Sequence, residues 1–234
     1  VSGKAFNYGS KSEDLPDFII FSSFRGKGDA TTAKYLSRNL PLLVLFSEAI
    51  WFNLSNSYSF MSSVKSYVHV YTGNGKGKTT AAMGLALRAV GAGKKVFIGQ
   101  FAKGTHYSEL ESIAKFLPDI TIHQYGAGCF IFNKPKQHDV EMAIAGLNEI
   151  EQIILAGQHQ VVILDEANIA LYYKLFSIQR LIEVVDKRHP STEVIITGRY
   201  ACQEIIDYAD LVTEMKEIKH YYQQGVQARA GIEK

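Results

Sequence analysis

The sequence predicts an α/β protein built on a doubly wound, mostly parallel sheet. Two observations carry this. From about residue 61, short apolar β-branched runs alternate with segments of helical period. Glycine-rich turns also stand where strands should hand over to helices. The chain has 234 residues, 47% of them apolar and 21% charged. That suffices for one α/β domain plus an extension, and it disfavours wholesale disorder.

The elements follow in order. Residues 67–72 (YVHVYT) form a strand, then a glycine loop, then a helix over 78–90 closed by Gly91 and Gly93. KVFIGQF (95–101) is a second strand. A helix near 108–117 and a strand over 120–125 come next. Residues 136–157 form a long amphipathic helix with an apolar stripe of Ile144, Leu147, Ile150, Ile154 and Leu155. QVVILDE (160–166) is apolar enough to be buried on both faces of a parallel sheet. Helices near 168–175 and 177–188, the strand EVIIT (193–197), a short helix from 203 and a strand over 209–214 complete the order.

Residues 1–60 read differently. They are rich in Ser and aromatics, begin with Val, and lack sustained strand–helix alternation. They are expected to be an N-terminal extension (upstream translation, a fusion remnant or an accessory segment), with a small lobe as the alternative. Residues 61–234 are expected to be the functional domain. The apolar run 40–52 contains Glu48 and falls short of the roughly 20 residues that span a bilayer. It also lacks the position and flanks of a signal peptide. Cys129 and Cys202 fit no disulfide framework or zinc spacing, so a cytoplasmic, reducing setting is expected. A formal charge of +2 is too small to argue for nucleic acid or a membrane surface as partner.

TGNGKGKTTAA (72–82) carries the chemistry. Gly73, Asn74, Gly75, Lys76 and Gly77 would turn backbone N–H groups around phosphate oxygens. Lys78 adds a charge, and Thr79, with Thr80 behind it, offers a hydroxyl to Mg²⁺. The pattern GxxxxGK[ST] would place a glycine where Thr72 stands. Strand before and helix after fit a P-loop NTPase, or RecA-like, form of the sheet; a glycine turn without ligand is the bland alternative. Asp165 and Glu166 end a buried strand, where a metal carboxylate is expected, unless they merely cap a helix. Lys103 and Arg199 follow two other strands and could reach phosphate, although a loop lysine is often only solvated. Phe130 and Phe132, two apart, would share one face of an extended loop or pack in the core. A second stretch, GKGDATTAKYL (26–36), echoes the loop but has Asp29-Ala30 for Lys78-Thr79, and is read as a chance similarity.

TGNGKGKTTAA, QFAKG, ILDEANIAL, VIITGR, ADLVTEM and GVQARAGIE together resemble the ATP:corrinoid adenosyltransferases, over about residues 68–233. The resemblance implies transfer of the 5′-deoxyadenosyl group of ATP to Co(I) of a reduced corrinoid, cobalamin or a precursor, with release of triphosphate. It implies a loop and Mg²⁺ (Mn²⁺ as an alternative) acting on a departing triphosphate, with Lys78 and Thr79 central and Lys103 and Arg199 as further phosphate contacts. It also implies Phe130 and Phe132 beneath the corrin, Glu109 as a further candidate, a flavoprotein as electron donor, and a homodimer. A generic P-loop kinase or ATPase, or a non-catalytic corrinoid-binding relative, is the alternative.

Overall fold

The computed structural model describes residues 65–128 and 134–234. The expectations for residues 1–60, including the echo at 26–36, and for Cys129, Phe130 and Phe132 lie outside the described residues.

Six parallel strands form one sheet: β1 (Val68–Thr72), β2 (Val96–Phe101), β3 (Ile120–Tyr125), β4 (Val161–Asp165), β5 (Glu193–Thr197) and β6 (Leu211–Glu214). Their spatial order is β3-β2-β4-β5-β1-β6. From β1 the chain therefore passes over β5 and β4 to reach β2, and later returns to β1's other side with β6. One strand, β5, separates the strand that carries the phosphate loop from the strand that ends in Asp165. This is the doubly wound P-loop architecture that the sequence predicts.

Every residue of β2 and β4 is buried, as parallel strands covered on both faces must be. One face is covered by α1 (Lys78–Gly91) and α2 (Ser108–Phe116). There Ala82, Ala86 and Ala89 pack on Ile98, Ile163 and Ile195. Alanines at helical spacing let α1 lie close to the sheet, which holds its N-terminus against the strand ends. The other face is covered by α3 (Gln137–Ala156), α4 (Ala167–Tyr172), α5 (Ile178–Asp186) and α6 (Gln203–Tyr208). Leu147, Ile150, Ile154, Leu181 and Val184 meet Phe97, Val162, Leu164, Val194 and Ile196 there. Each such side chain contributes about 1.5–3 kcal/mol by leaving water.

Two expectations need correction in detail. In α3, Leu147, Ile150 and Ile154 are buried, but Ile144 and Leu155 are largely exposed. The contact stripe instead runs through Ala143, Gly146 and Leu147, because Tyr125 lies against Gly146 so closely that a Cβ would meet its ring at 2.3 Å. The last strand starts at Leu211 rather than 209. Ala209 closes α6, and Asp210 is used to bind β1, its N–H donating to Val68 O and its carboxylate accepting from Val68 N.

Helices α3 and α5 are joined by Glu151, which accepts from Arg180 at 2.5 Å and from Lys187. The Arg180 bond, then the Lys187 bond, pull its carboxyl from 4.5 down to about 2. A depressed folded-state value means that the contribution is complete above about pH 4.5 and fades as pH falls towards 2. In Glu151→Gln the acid-unfolding curve should therefore lose slope in that window, read by circular dichroism against pH, with the wild type the more stable protein at pH 7.

Candidate active site

The carboxyl ends of β1, β2, β4 and β5 meet at one rim, and it is there that the backbone departs from ordinary conformations. Ala102 after β2, Glu166 after β4 and Tyr200 after β5 have φ of 53°, 59° and 62°. Non-glycine residues in this region signal a surrounding structure that over-determines them.

The phosphate loop takes its shape from the far end of the chain. Thr72 O accepts from Met215 N at 2.8 Å, and Gly75 N donates to Met215 O at 2.7 Å. The backbone after β6 thus runs flat against the loop. A Cβ on Gly73 or Gly75 would lie 2.4 Å or 2.7 Å from Met215 O, and Gly73 also has φ 95°. These two glycines are demanded by close approach of backbone as well as by any ligand. Thr72, in the place where the general pattern has glycine, is buried, and its hydroxyl accepts from Ala201 N at 3.3 Å. The departure from the pattern ties the loop to the turn after β5. Gly77 (φ 117°) then caps α1 and aims its free N–H groups at the cradle.

Lys78 is buried, and its ammonium donates to Gly73 O and Gly75 O, both at 2.8 Å. Burial holds its pKa below the ordinary value, and the charge of Arg199 pushes the same way, against Glu166 and Asp165.

Asp165 is the hub. It is wholly buried, and both oxygens are filled. Oδ1 accepts from Thr79 at 2.9 Å and Thr197 at 2.7 Å. Oδ2 accepts from Lys103 at 2.7 Å and Gln100 at 3.2 Å. Burial alone would raise its pKa; the Lys103 charge and the bonds from Lys103, Thr197 and Thr79 more than reverse that and hold it below the usual value. Glu166 goes the other way, raised by burial and then by Asp165, with Lys103, Lys78 and Arg199 opposing. Two adjacent carboxyls share the site and are shifted in opposite directions.

Lys103, expected on phosphate, is placed on Asp165, with its ring neighbour Tyr107 5.2 Å from the ammonium. What turns it inward is the crossing of two loops. Gly104 N donates to Gly128 O at 2.7 Å, and a Cβ on Gly104 would meet Gly126 O at 2.0 Å. Glu109 joins through Gln100, whose amide reaches it at 3.3 Å. Asn74, Lys76, Thr80 and Arg199 are exposed at the rim, and Lys76 is drawn off to Glu233 at 2.7 Å. Sequence reasoning assigned no role to Gln100, Thr197, Met215 or Glu233. The first two carry a legible signal, a polar side chain in an otherwise apolar strand.

Among the described residues no group of three or more His, Cys, Asp and Glu side chains is placed to hold a metal by itself. Thr79 places a hydroxyl oxygen at the start of α1, with the Asp165 carboxylate bonded behind it, which suits Mg²⁺, an ion that takes few protein ligands and keeps waters.

Sheet order, loop and carboxylate together define a P-loop nucleotide-binding protein. The family profile described as ATP:corrinoid adenosyltransferase BtuR/CobO/CobP matches residues 64–233. A corrinoid adenosyltransferase of Pseudomonas aeruginosa is 34% identical over 165 residues, covering 70% of this chain and 81% of that protein. Its counterpart from a Sinorhizobium species is 35% identical over 172 residues, covering 72% and 80%. That of Escherichia coli K12 is 34% identical over 165 residues, covering 70% and 83%. The chain belongs to the ATP:corrinoid adenosyltransferase family, and is a transferase whose substrates are a corrinoid and ATP.

Two variants check the site's construction. Asp165→Asn leaves Lys103 without its counter-charge and should cost about 3 kcal/mol, a drop of roughly 6–12 °C in the thermal midpoint. Gly73→Ala forces either the loop or Met215 to move, at about 1–3 kcal/mol, and calorimetric titration with ATP should show weakened binding in protein that remains folded.

Proposed function

We propose that the protein transfers the 5′-deoxyadenosyl group of ATP to Co(I) of a reduced corrinoid, yielding adenosylcobalamin or an adenosylated precursor and inorganic triphosphate. The observation that carries this reading is the state of Asp165. Its two oxygens are filled by four donors that come from four elements of the rim, so it serves to hold that rim in place rather than to take a proton from an attacking group. Co(I) carries no proton to remove. Its filled orbital supplies both electrons of the new cobalt–carbon bond, and the electron pair of the broken C5′–O bond leaves with the triphosphate.

The protein's work is then to position ATP and to stabilise charge on the leaving group. The backbone of residues 73–80 and Lys78 receive the triphosphate at the N-terminus of α1, with Thr80, Arg199 and Lys103 as further contacts. Thr79, with Asp165 or Glu166 directly or through water, would hold Mg²⁺ or Mn²⁺, which when bound offsets negative charge on the phosphates. Ala102, Tyr125, Gly126, Gly128, Asp139 and Leu175 line a small depression at the ends of β2 and β3. Phe130 and Phe132 follow Gly128 in the chain, and in this reading they lie under the corrin and displace its lower ligand, easing reduction to Co(I). A reducing flavoprotein, a homodimer and a cytoplasmic setting belong to the same reading. Among the described residues no helix is long and apolar enough to cross a membrane.

The test is to incubate the protein with MgATP and chemically reduced corrinoid and to follow the visible spectrum and the phosphate product. A cobalt–carbon bond with triphosphate is expected; ADP without that bond overturns the reading. Lys78→Ala should lower the rate by about 10²–10³-fold. Lys27→Ala, in the echo, should leave it unchanged.

A further inference from the structure

The mid-loop lysine does not point its charge into the phosphate cradle. Lys76, between Gly75 and Gly77, donates to Glu233 Oε1 at 2.7 Å and to the Tyr221 hydroxyl at 2.9 Å. The Tyr221 hydroxyl donates in turn to Glu233. Glu233 is clamped from its own side by Arg229, through the backbone N–H at 2.9 Å, Nε at 3.2 Å and an Nη at 3.2 Å. The Arg229 guanidinium also lies 5.0 Å from the centre of the Tyr221 ring. The hydrogen bond from Arg229, then those from Lys76 and Tyr221, keep the Glu233 carboxyl well below its usual range, so it is charged at neutral pH. The segment 221–234 forms a strap over the loop that is held a second time where Lys234 O accepts from Ser108 Oγ at 2.9 Å.

The loop thus carries two lysines with opposite fates. Lys78 is held by loop carbonyls, with no carboxylate in direct contact among the described residues. Lys76 is neutralised by a carboxylate 157 residues away. The Glu233 side chain is 15% exposed and that of Lys76 38%, and what sets the pair apart from a lone surface contact is the second bond of Lys76 to Tyr221 and the hold of Arg229 on the carboxylate. The triphosphate released in the reaction is a polyanion, and an extra loop cation would bind it more tightly.

We propose that Glu233 is a positioning residue that withholds the Lys76 ammonium from the triphosphate and so limits how tightly the loop holds its polyanionic product. The inference rests on the reading that the loop takes triphosphate, but its direct test needs no corrinoid. Inorganic tripolyphosphate with Mg²⁺ is titrated calorimetrically into the full chain and into Glu233→Gln, Glu233→Asp, Lys76→Met and the Lys76→Met/Glu233→Gln double variant. Glu233→Gln should bind about five- to tenfold tighter, the effect of one freed cation near phosphate. The gain should shrink as salt is raised. Glu233→Asp should stay within about twofold of wild type, and the double variant should bind as Lys76→Met does. In turnover, Glu233→Gln should lower kcat and KM for ATP together, as slowed product release requires.

A strap that only braces the fold predicts the opposite sign. Weaker binding in Glu233→Gln, or a gain that persists without Lys76, overturns the proposal. Failure of wild type to bind tripolyphosphate overturns it together with the reading of the loop. Tighter binding by Glu233→Gln in a protein that makes no cobalt–carbon bond would sustain this inference and sink the adenosyl-transfer reading alone.

Discussion

One wholly buried carboxylate organises this protein. Asp165 stands at the end of β4 and receives donors from α1, β5, β2 and the loop after β2. Taking an ion out of water is costly, and here the cost is met by a buried ammonium and three neutral donors that leave neither oxygen bare. The arrangement has a geometric consequence. Thr79 fixes the first turn of α1, Thr197 fixes the end of β5 and also accepts from Glu166 N, and Lys103 fixes the second loop. The rim of the sheet is therefore set before any substrate arrives, which is what catalysis by positioning requires.

Much of the fold was legible because it rests on local rules. The strands VVILD and EVIIT announce double-sided burial, and glycines at the loop announce tight turns. The exposed Ile144 and Leu155 show the limit of that reading. Helical spacing marks a stripe, but the centre of the stripe is decided by what the neighbouring strand presents, here the Tyr125 ring against Gly146. Site residues on the loop and at strand ends were found because their chemistry has a fixed address in a parallel sheet.

The remainder was hidden for physical reasons. Lys103 was legible as a cation at the rim, but its partner depends on two loops crossing at Gly104 and Gly126, a contact without local signature. Gln100 and Thr197 look like imperfections in apolar strands until Asp165 is seen between them. Met215 and Glu233 reach the loop from the end of the chain, and no periodicity connects residues so far apart.

That last point has a consequence for the life of the molecule. The phosphate loop is moulded by the backbone of Met215, which is synthesised about 140 residues later. On the ribosome the growing chain has the loop's sequence long before it has the loop's form. Nucleotide recognition is thus deferred until residue 215 has been made and folded back, and a product cut short before that point lacks a finished cradle.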